Sequence, residues 1–207
     1  MARTPSYDRE QALDAAMTLF WRKGYHATSL KDLETTLRMK PGSIYAAFQS
    51  KEALFRATLD RYAARMADDM QATVSGADSA LTGLQKQLLS LADLTPRDKP
   101  STACMLVKSL LEVSQEGELR DIVRTHLDRV QQSLTEAVRA AQDAGELPQS
   151  LEPERVARRL QTYIFGLKIQ AQRESDPERM NQLCQDLAGE LARLGAADRQ
   201  AVTVGEG

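Results

Sequence analysis

Along almost the whole of this chain, apolar residues return at intervals of three and four, and the strict alternation of a half-buried strand is absent. Ala, Leu, Glu, Gln and Arg dominate and β-branched runs are rare, so the pattern predicts an all-α fold. The first helix is expected over about 8–23, with Leu13, Ala16, Met17 and Phe20 on one face and Gly24 as its stop. Thr28 or Ser29 caps a second helix carrying Leu30, Leu33 and Leu37, and Pro41 opens a two-turn third helix in which Ile44 and Phe48 share a face. Ser50 then caps a long fourth helix through Leu54, Phe55, Leu59, Tyr62, Met66 and Met70. Further helices are expected at about 79–94, 101–114, 118–144, 153–174 and 177–194, about nine in all. The breaks between them coincide with Pro96, Pro100, Gly117, Gly145 to Pro148, and Asp176-Pro177. The end, 195–207, is expected to be a flexible tail.

With 207 residues, 42% of them hydrophobic and 27% charged, the chain can bury a substantial core. No run of about 18 apolar residues occurs, and Arg3, Asp8, Arg9, Glu10 and Asp14 interrupt the start, so neither a membrane span nor a secretory signal is predicted. A cytoplasmic location is the expectation. Cys104 and Cys184 lie far apart, with only His26 and His126 as possible companions, and no metal-ligand spacing results. No metal and no cofactor are predicted. Residues 1–60 hold nine Lys/Arg against seven Asp/Glu, which places a slightly basic segment on an acidic remainder.

The stretch from Thr28 to Phe55 places a hydroxyl cap, a short amphipathic helix, a tight turn and a second helix opening at Lys40-Pro41-Gly42-Ser43. That succession reads as a helix-turn-helix. Such a unit brings a helix N-terminus to a DNA groove, where backbone N–H groups and short polar side chains meet phosphates and base edges.

The segments FWRKGY from Phe20, Thr28-Ser29-Leu30 and, above all, PGSIYAAFQSKEALF from Pro41 to Phe55 resemble the TetR family of one-component transcriptional repressors. The resemblance is specific over about the first 60 residues, and the later helix count and lengths agree with it. It implies a three-helix DNA-binding domain at 1–50, a ligand-binding and dimerisation domain at 51–194, and a homodimer that binds double-stranded operator DNA. It also implies that Thr28 and Tyr45 contact phosphates and that Lys51 opens helix 4 beside the DNA. Ser29, Lys40, Pro41, Gly42 and Ser43 complete the expected DNA-facing set, because glycine admits close backbone approach and a short hydroxyl pairs with several base edges. Ala46-Ala47 departs from the bulkier polar residues of many relatives, so base preference is not carried over. Tyr45 lies one step off the Ile44–Phe48 face, which favours an exposed role over a core one.

Residues 102–109, Thr-Ala-Cys-Met-Leu-Val-Lys-Ser, resemble the Gly-Cys-Leu-x-Val-Lys segment of the branch of that family that responds to electrophiles and oxidants, with Ala103 in place of the glycine. Cys104 would then sit in the first turn of helix 6, where a helix N-terminus favours the thiolate, with Lys108 one turn away. The competing reading is a small buried hydrophobe. Met105 and Tyr163 are further effector-site candidates, beside Leu88 and Phe165, for a small, largely apolar molecule. Leu160, Ile164 and Leu167 on helix 8, with Leu183, Leu187 and Leu191 on helix 9, are the candidate dimer seam, and Val156, Phe165, Ile169 and Leu194 widen the stripes enough to suggest a subunit contact. Two alternatives remain: a small all-α thiol redox enzyme, disfavoured by the lack of a CxxC or a nearby base, and a helical interaction module that does not bind DNA. The expectation is a non-enzymatic repressor released by a small molecule or by an oxidant or electrophile acting on Cys104.

Overall fold

The computed structural model describes residues 8–94 and 101–204, the last nine of these by backbone alone. Among the described residues there are nine α-helices and no strand: α1 Arg9–Lys23, α2 Leu30–Leu37, α3 Pro41–Phe48, α4 Lys51–Ser75, α5 Ala80–Leu89, α6 Met105–Glu112, α7 Glu118–Asp143, α8 Pro153–Arg173 and α9 Pro177–Val204. The all-α expectation holds. Two compact units divide the chain: 1–65 with 105–126, and 66–104 with 127–207. The division falls inside α4 and again inside α7.

Helix ends follow local chemistry. Asp8 caps α1 by accepting the N–H of Glu10 at 2.9 Å, and Gly24 ends it at φ +87°, a backbone region that L residues rarely adopt. Ser29 caps α2 in a capping box: its hydroxyl accepts the Asp32 N–H at 3.1 Å while the Asp32 carboxylate accepts the Ser29 N–H at 2.8 Å. Ser50 accepts the Ala53 N–H at 3.0 Å at the start of α4. Pro41 and Pro153 each occupy the first helical position of their helices, where a missing N–H costs nothing.

Three ends differ from expectation. α5 stops at Leu89 rather than near residue 94, and the breaks expected at Pro96 and Pro100 lie outside the described residues. α6 begins at Met105 rather than at residue 101, because Thr102 is tied elsewhere: its N–H donates to Gln172 Oε1 at 3.2 Å, and its hydroxyl donates to the Lys168 carbonyl at 2.9 Å, with Gln172 Oε1 3.1 Å away. α9 continues to Val204, past the tail expected from residue 195, since no proline or glycine recurs between Gly195 and Gly205. Gly195 itself is buried.

In the first unit Leu13, Ala16, Met17 and Phe20 of α1, Leu33 of α2, Ile44 and Phe48 of α3, and Leu54, Phe55 and Leu59 of α4 are buried. Phe20 meets Phe55 edge to face at 4.9 Å, and Tyr25 lies 4.7 Å from Phe55. Arg61 of α4 pairs with both Glu10 and Asp14 of α1, and Arg65 reaches Asp14 at 2.7 Å. His126 of α7 is buried and its Nε2 lies 2.8 Å from Asp60 of α4. The second unit has its own core, with Leu84 and Leu88 of α5, Leu134 and Val138 of α7, Leu160, Ile164 and Leu167 of α8, and Met180, Cys184, Ala188 and Leu191 of α9. Gly83 lets α5 approach α4 closely, since a Cβ there would lie 2.9 Å from Val74 Cα.

Candidate nucleic-acid interface

α3 is short and divided cleanly. Ile44 and Phe48 turn inward, 2% and 4% exposed, whereas Gly42, Ser43, Tyr45 and Ala46 stay on the surface. Tyr45 is 46% exposed, so its ring and hydroxyl are presented at the surface. Lys40 precedes the helix without a side-chain cap bond, and its carbonyl accepts the Ser43 N–H at 2.9 Å and the Ile44 N–H at 3.1 Å. No Cβ contact would arise at Gly42, so its backbone is open to close approach. Backbone dipole, hydroxyl and phenol therefore face outward at one helix end.

Charge around this end is distributed unevenly. Lys23 is paired with Asp32 at 2.8 Å, and the side chains of Arg56, Arg61 and Arg65 are all ion-paired. The Lys23 hydrogen bond, with those from Ser29, holds the Asp32 carboxyl well below the usual carboxylate range. Arg22, Lys31, Arg38 and Lys40, by contrast, are exposed and make no side-chain hydrogen bond or ion pair among the described residues. Lys51 is a partial case: its Nζ stands 4.5 Å from the Tyr25 ring centroid, and burial pushes its pKa down. The unneutralised cations at α2, its following turn and the cap of α3 are suited to phosphates.

Thr28 departs from its expected place. It is fully buried and its hydroxyl donates to the Gly24 carbonyl at 2.6 Å, so that hydroxyl locks the α1–α2 corner from within. Ser29 remains exposed, but its hydroxyl is engaged with Asp32. Sequence reasoning does not single out Arg22, Lys31 and Arg38; Glu34 stands at helical spacing from both Lys31 and Arg38, and only the structure shows that neither pairs with it.

The effector candidates also resolve into particular positions. Cys104 is 2% exposed and directly precedes α6 instead of lying within its first turn. Lys108 does not attend a thiolate: its Nζ donates to the Trp21 carbonyl at 2.6 Å and to the Arg22 carbonyl at 3.2 Å, at the end of α1. Burial lowers its pKa. One turn on, Glu112 accepts the Tyr25 N–H at 2.6 Å, a contact that no sequence signal announced. Met105 is buried, and the Tyr163 hydroxyl donates to Glu190 at 2.8 Å while Arg159 donates to it at 2.9 Å. Leu88 is core, and a recess of about 430 Å³ in the second unit is walled instead by Ala92, Leu94, Ala171, Pro177 and Met180. Burial raises the Cys184 thiol to about 11, which makes it an inert packing residue.

Four residues of the candidate dimer seam turn inward within the chain, and two stay partly exposed. Leu160, Ile164, Leu167 and Leu191 are 2%, 7%, 1% and 3% exposed within a single chain, and Leu183 and Leu187 pack partly buried against the same core. For those four buried residues the three-and-four spacing reports packing inside the chain. The apolar surface that α8 leaves open is different: Ile169 at 52% exposure, beside Thr162, Phe165 and Gly166, with open space where a Gly166 Cβ would stand.

An exposed helix end with unpaired cations, carried on a three-helix corner, defines a helix-turn-helix DNA-binding protein. Residues 12–58 match the model described as bacterial regulatory proteins, tetR family, and residues 80–187 match the tetracyclin repressor-like C-terminal domain. The chain therefore belongs to the TetR family and is a DNA-binding transcriptional repressor. It is 31% identical to the HTH-type transcriptional repressor ComR of Escherichia coli K12, over 93% of this chain and 90% of that protein. It is 26% identical to the repressor DhaR of Mycobacterium sp. strain GP1, over 84% and 88%. Among solved structures, a cysteine mutant of the TetR family regulator CifR, complexed with 26 bp double-strand operator DNA, superposes with TM-score 0.80 at 30% identity, covering 90% of this chain and 98% of that one. Reduced E. coli NemR shares the fold, with TM-score 0.75 at 21% identity over 90% and 96% of the two chains. No helix among the described residues is long and apolar enough to cross a membrane.

Proposed function

We propose that two copies of this chain bind a near-palindromic operator, each placing the N-terminal end of α3 in the major groove. The observation that carries this reading is the exposed face of α3, with Gly42, Ser43 and Tyr45 outward beside the unpaired cation Lys40. Lys40, Pro41, Gly42 and Ser43 approach base edges; Tyr45, Lys51 and the Ser29 end of α2 hold phosphates. Thr28 serves as an internal strut for that surface. The operator complex of CifR supports this docking. The two copies join through the Thr162–Phe165–Gly166–Ile169 face of α8, which sets the half-sites about one helical turn apart or somewhat more.

Release from the operator is proposed to follow covalent modification of Cys104 by an oxidant or electrophile. Atoms added to a thiol that is 2% exposed must displace neighbours, and the next residue begins α6, whose Lys108 and Glu112 hold the end of α1. The cysteine mutations in the CifR structure support attention to thiols in this family. A non-covalent small-molecule effector would give the same outcome without Cys104.

The test is operator binding by fluorescence anisotropy across a salt series. Lys51→Ala weakens binding to every sequence and makes the salt slope shallower by about one, while Ser43→Ala changes base preference. If Lys51→Ala leaves affinity and slope untouched, the docking is wrong. Hypochlorite, methylglyoxal or a quinone releases the wild type and spares Cys104→Ser; equal release of both removes the cysteine from the mechanism.

A further inference from the structure

Only two non-glycine residues among the described part of the chain have positive φ, and they stand on either side of α3. Arg38, at φ 53° and ψ 37°, ends α2; Gln49, at φ 68° and ψ −53°, ends α3. Such backbone strains an L residue because Cβ crowds the neighbouring carbonyl, whereas glycine adopts it freely. The residue after each one forces the conformation. Beyond Arg38 the chain must turn Met39 into the core, 8% exposed, and the Met39 N–H reaches back to the Glu34 carbonyl at 3.2 Å. Beyond Gln49 the Ser50 N–H closes on the Phe48 carbonyl at 2.8 Å, a γ-turn that reverses the chain between buried Phe48 and buried Leu54.

Neither side chain offsets the strain inside the molecule. Both are exposed, and neither makes a side-chain hydrogen bond or ion pair among the described residues, although Lys23, Arg56, Arg61 and Arg65 nearby in sequence all do. A strained backbone that carries a long polar side chain into solvent, at both borders of one helix, points to a contact made outside the chain. The chemistry on offer is a guanidinium, which pairs with phosphate through two parallel N–H groups, and an amide, which donates without charge.

We propose that Arg38 and Gln49 are additional DNA-backbone contacts that bracket α3, the guanidinium and the amide each donating to a phosphate oxygen. This rests on the reading that α3 enters the groove, since the two turns then border the same stretch of duplex. Arg38 neutralises a phosphate and releases its counterion, and Gln49 does not. The two contacts therefore leave different signatures.

The experiment compares wild type with Arg38→Gly, Arg38→Gln and Gln49→Gly on a labelled duplex recovered by the wild type from a random-sequence pool. Arg38→Gly and Arg38→Gln both lose about three- to tenfold in affinity at moderate salt, and the slope of log affinity against log salt becomes shallower by about one. Gln49→Gly loses a similar factor of about three- to tenfold with the slope unchanged. Both glycine variants melt at the wild-type temperature or about 1–3 °C above it, because glycine relieves the backbone. Arg38→Gln keeps the strain and loses only the charge, which separates the contact from any loosening of the turn. Wild-type affinity and slope in Arg38→Gln and Gln49→Gly would overturn the proposal. If Lys51→Ala still weakens binding while these variants do not, the docking of α3 stands and only the bracketing contacts fall; if the wild type recovers no duplex, both fall together.

Discussion

Glu112 and Lys108, one turn apart on α6, grip opposite poles of the same corner: the carboxylate accepts the Tyr25 N–H at 2.6 Å and the ammonium donates to the Trp21 carbonyl at 2.6 Å. Each charge meets a backbone group that the end of α1 leaves without a helical partner, and the cation also complements the negative end of the α1 dipole. Charge-assisted hydrogen bonds of this kind stabilise by about 1.5–3 kcal/mol each. Glu112→Ala and Lys108→Ala should each lower unfolding free energy by about that amount in urea titrations, with a double variant losing less than the sum.

Gly24 carries a sharper prediction. Its φ of +87° is strained for any L residue, and a Cβ would collide with the Glu112 carboxylate. Gly24→Ala should destabilise by about 2–4 kcal/mol. Adding Glu112→Ala to that background should cost less than Glu112→Ala alone, because the collision has already displaced the carboxylate. Additive losses would show that only the backbone strain matters.

A charge at Ile169 tests the α8 surface. Ile169→Glu should leave the melting temperature of the single chain nearly unchanged, since the side chain is 52% exposed, yet shift sedimentation from dimer to monomer and abolish tight binding to a two-half-site duplex. Leu160→Ala, by contrast, should cost about 2–5 kcal/mol as an ordinary core cavity. Dimeric Ile169→Glu would move the interface elsewhere.

Acid should weaken the first unit. Hydrogen bonds from Arg61, and from Arg65, hold the Asp14 carboxyl below its ordinary value, and Lys23 and Ser29 do the same for Asp32. A folded-state pKa below the unfolded one means that the native form binds fewer protons, so this stabilisation is complete above the ordinary carboxylate pKa of about 4 and drains away as pH falls through the folded value. Asp14→Asn should melt lower than wild type at pH 7, with the gap between the two narrowing as pH falls below the ordinary carboxylate range. A constant gap across that range would assign the loss to packing.

Much of this fold is legible in the residues themselves. Pro41, Gly24, Ser29 and Pro153 fix helix ends through covalent geometry and local hydrogen bonds, which travel with the sequence. The late start of α6 is not legible there, because Thr102 answers to Gln172, seventy residues away. The leucines of α8 and α9 suggest a seam between copies, but a helical stripe records only that a face is covered, never by which chain. Ile169, one of the positions that widen the α8 stripe, is left exposed. Thr28 has the look of a phosphate ligand by resemblance, yet its hydroxyl is engaged by Gly24. Arg38 and Gln49 can be recognised only once their backbone angles are known.

The pairing of Arg56, Arg61 and Arg65 of α4 with carboxylates, against the bare guanidinium and ammonium groups of Arg38 and Lys40, has a kinetic consequence. Positive potential is concentrated near the turn that leads into α3, so a polyanion approaching from solution exerts a torque that rotates this corner toward itself before any surfaces touch. Fewer collisions arrive in the wrong orientation, and that advantage fades as added salt shortens the reach of the field.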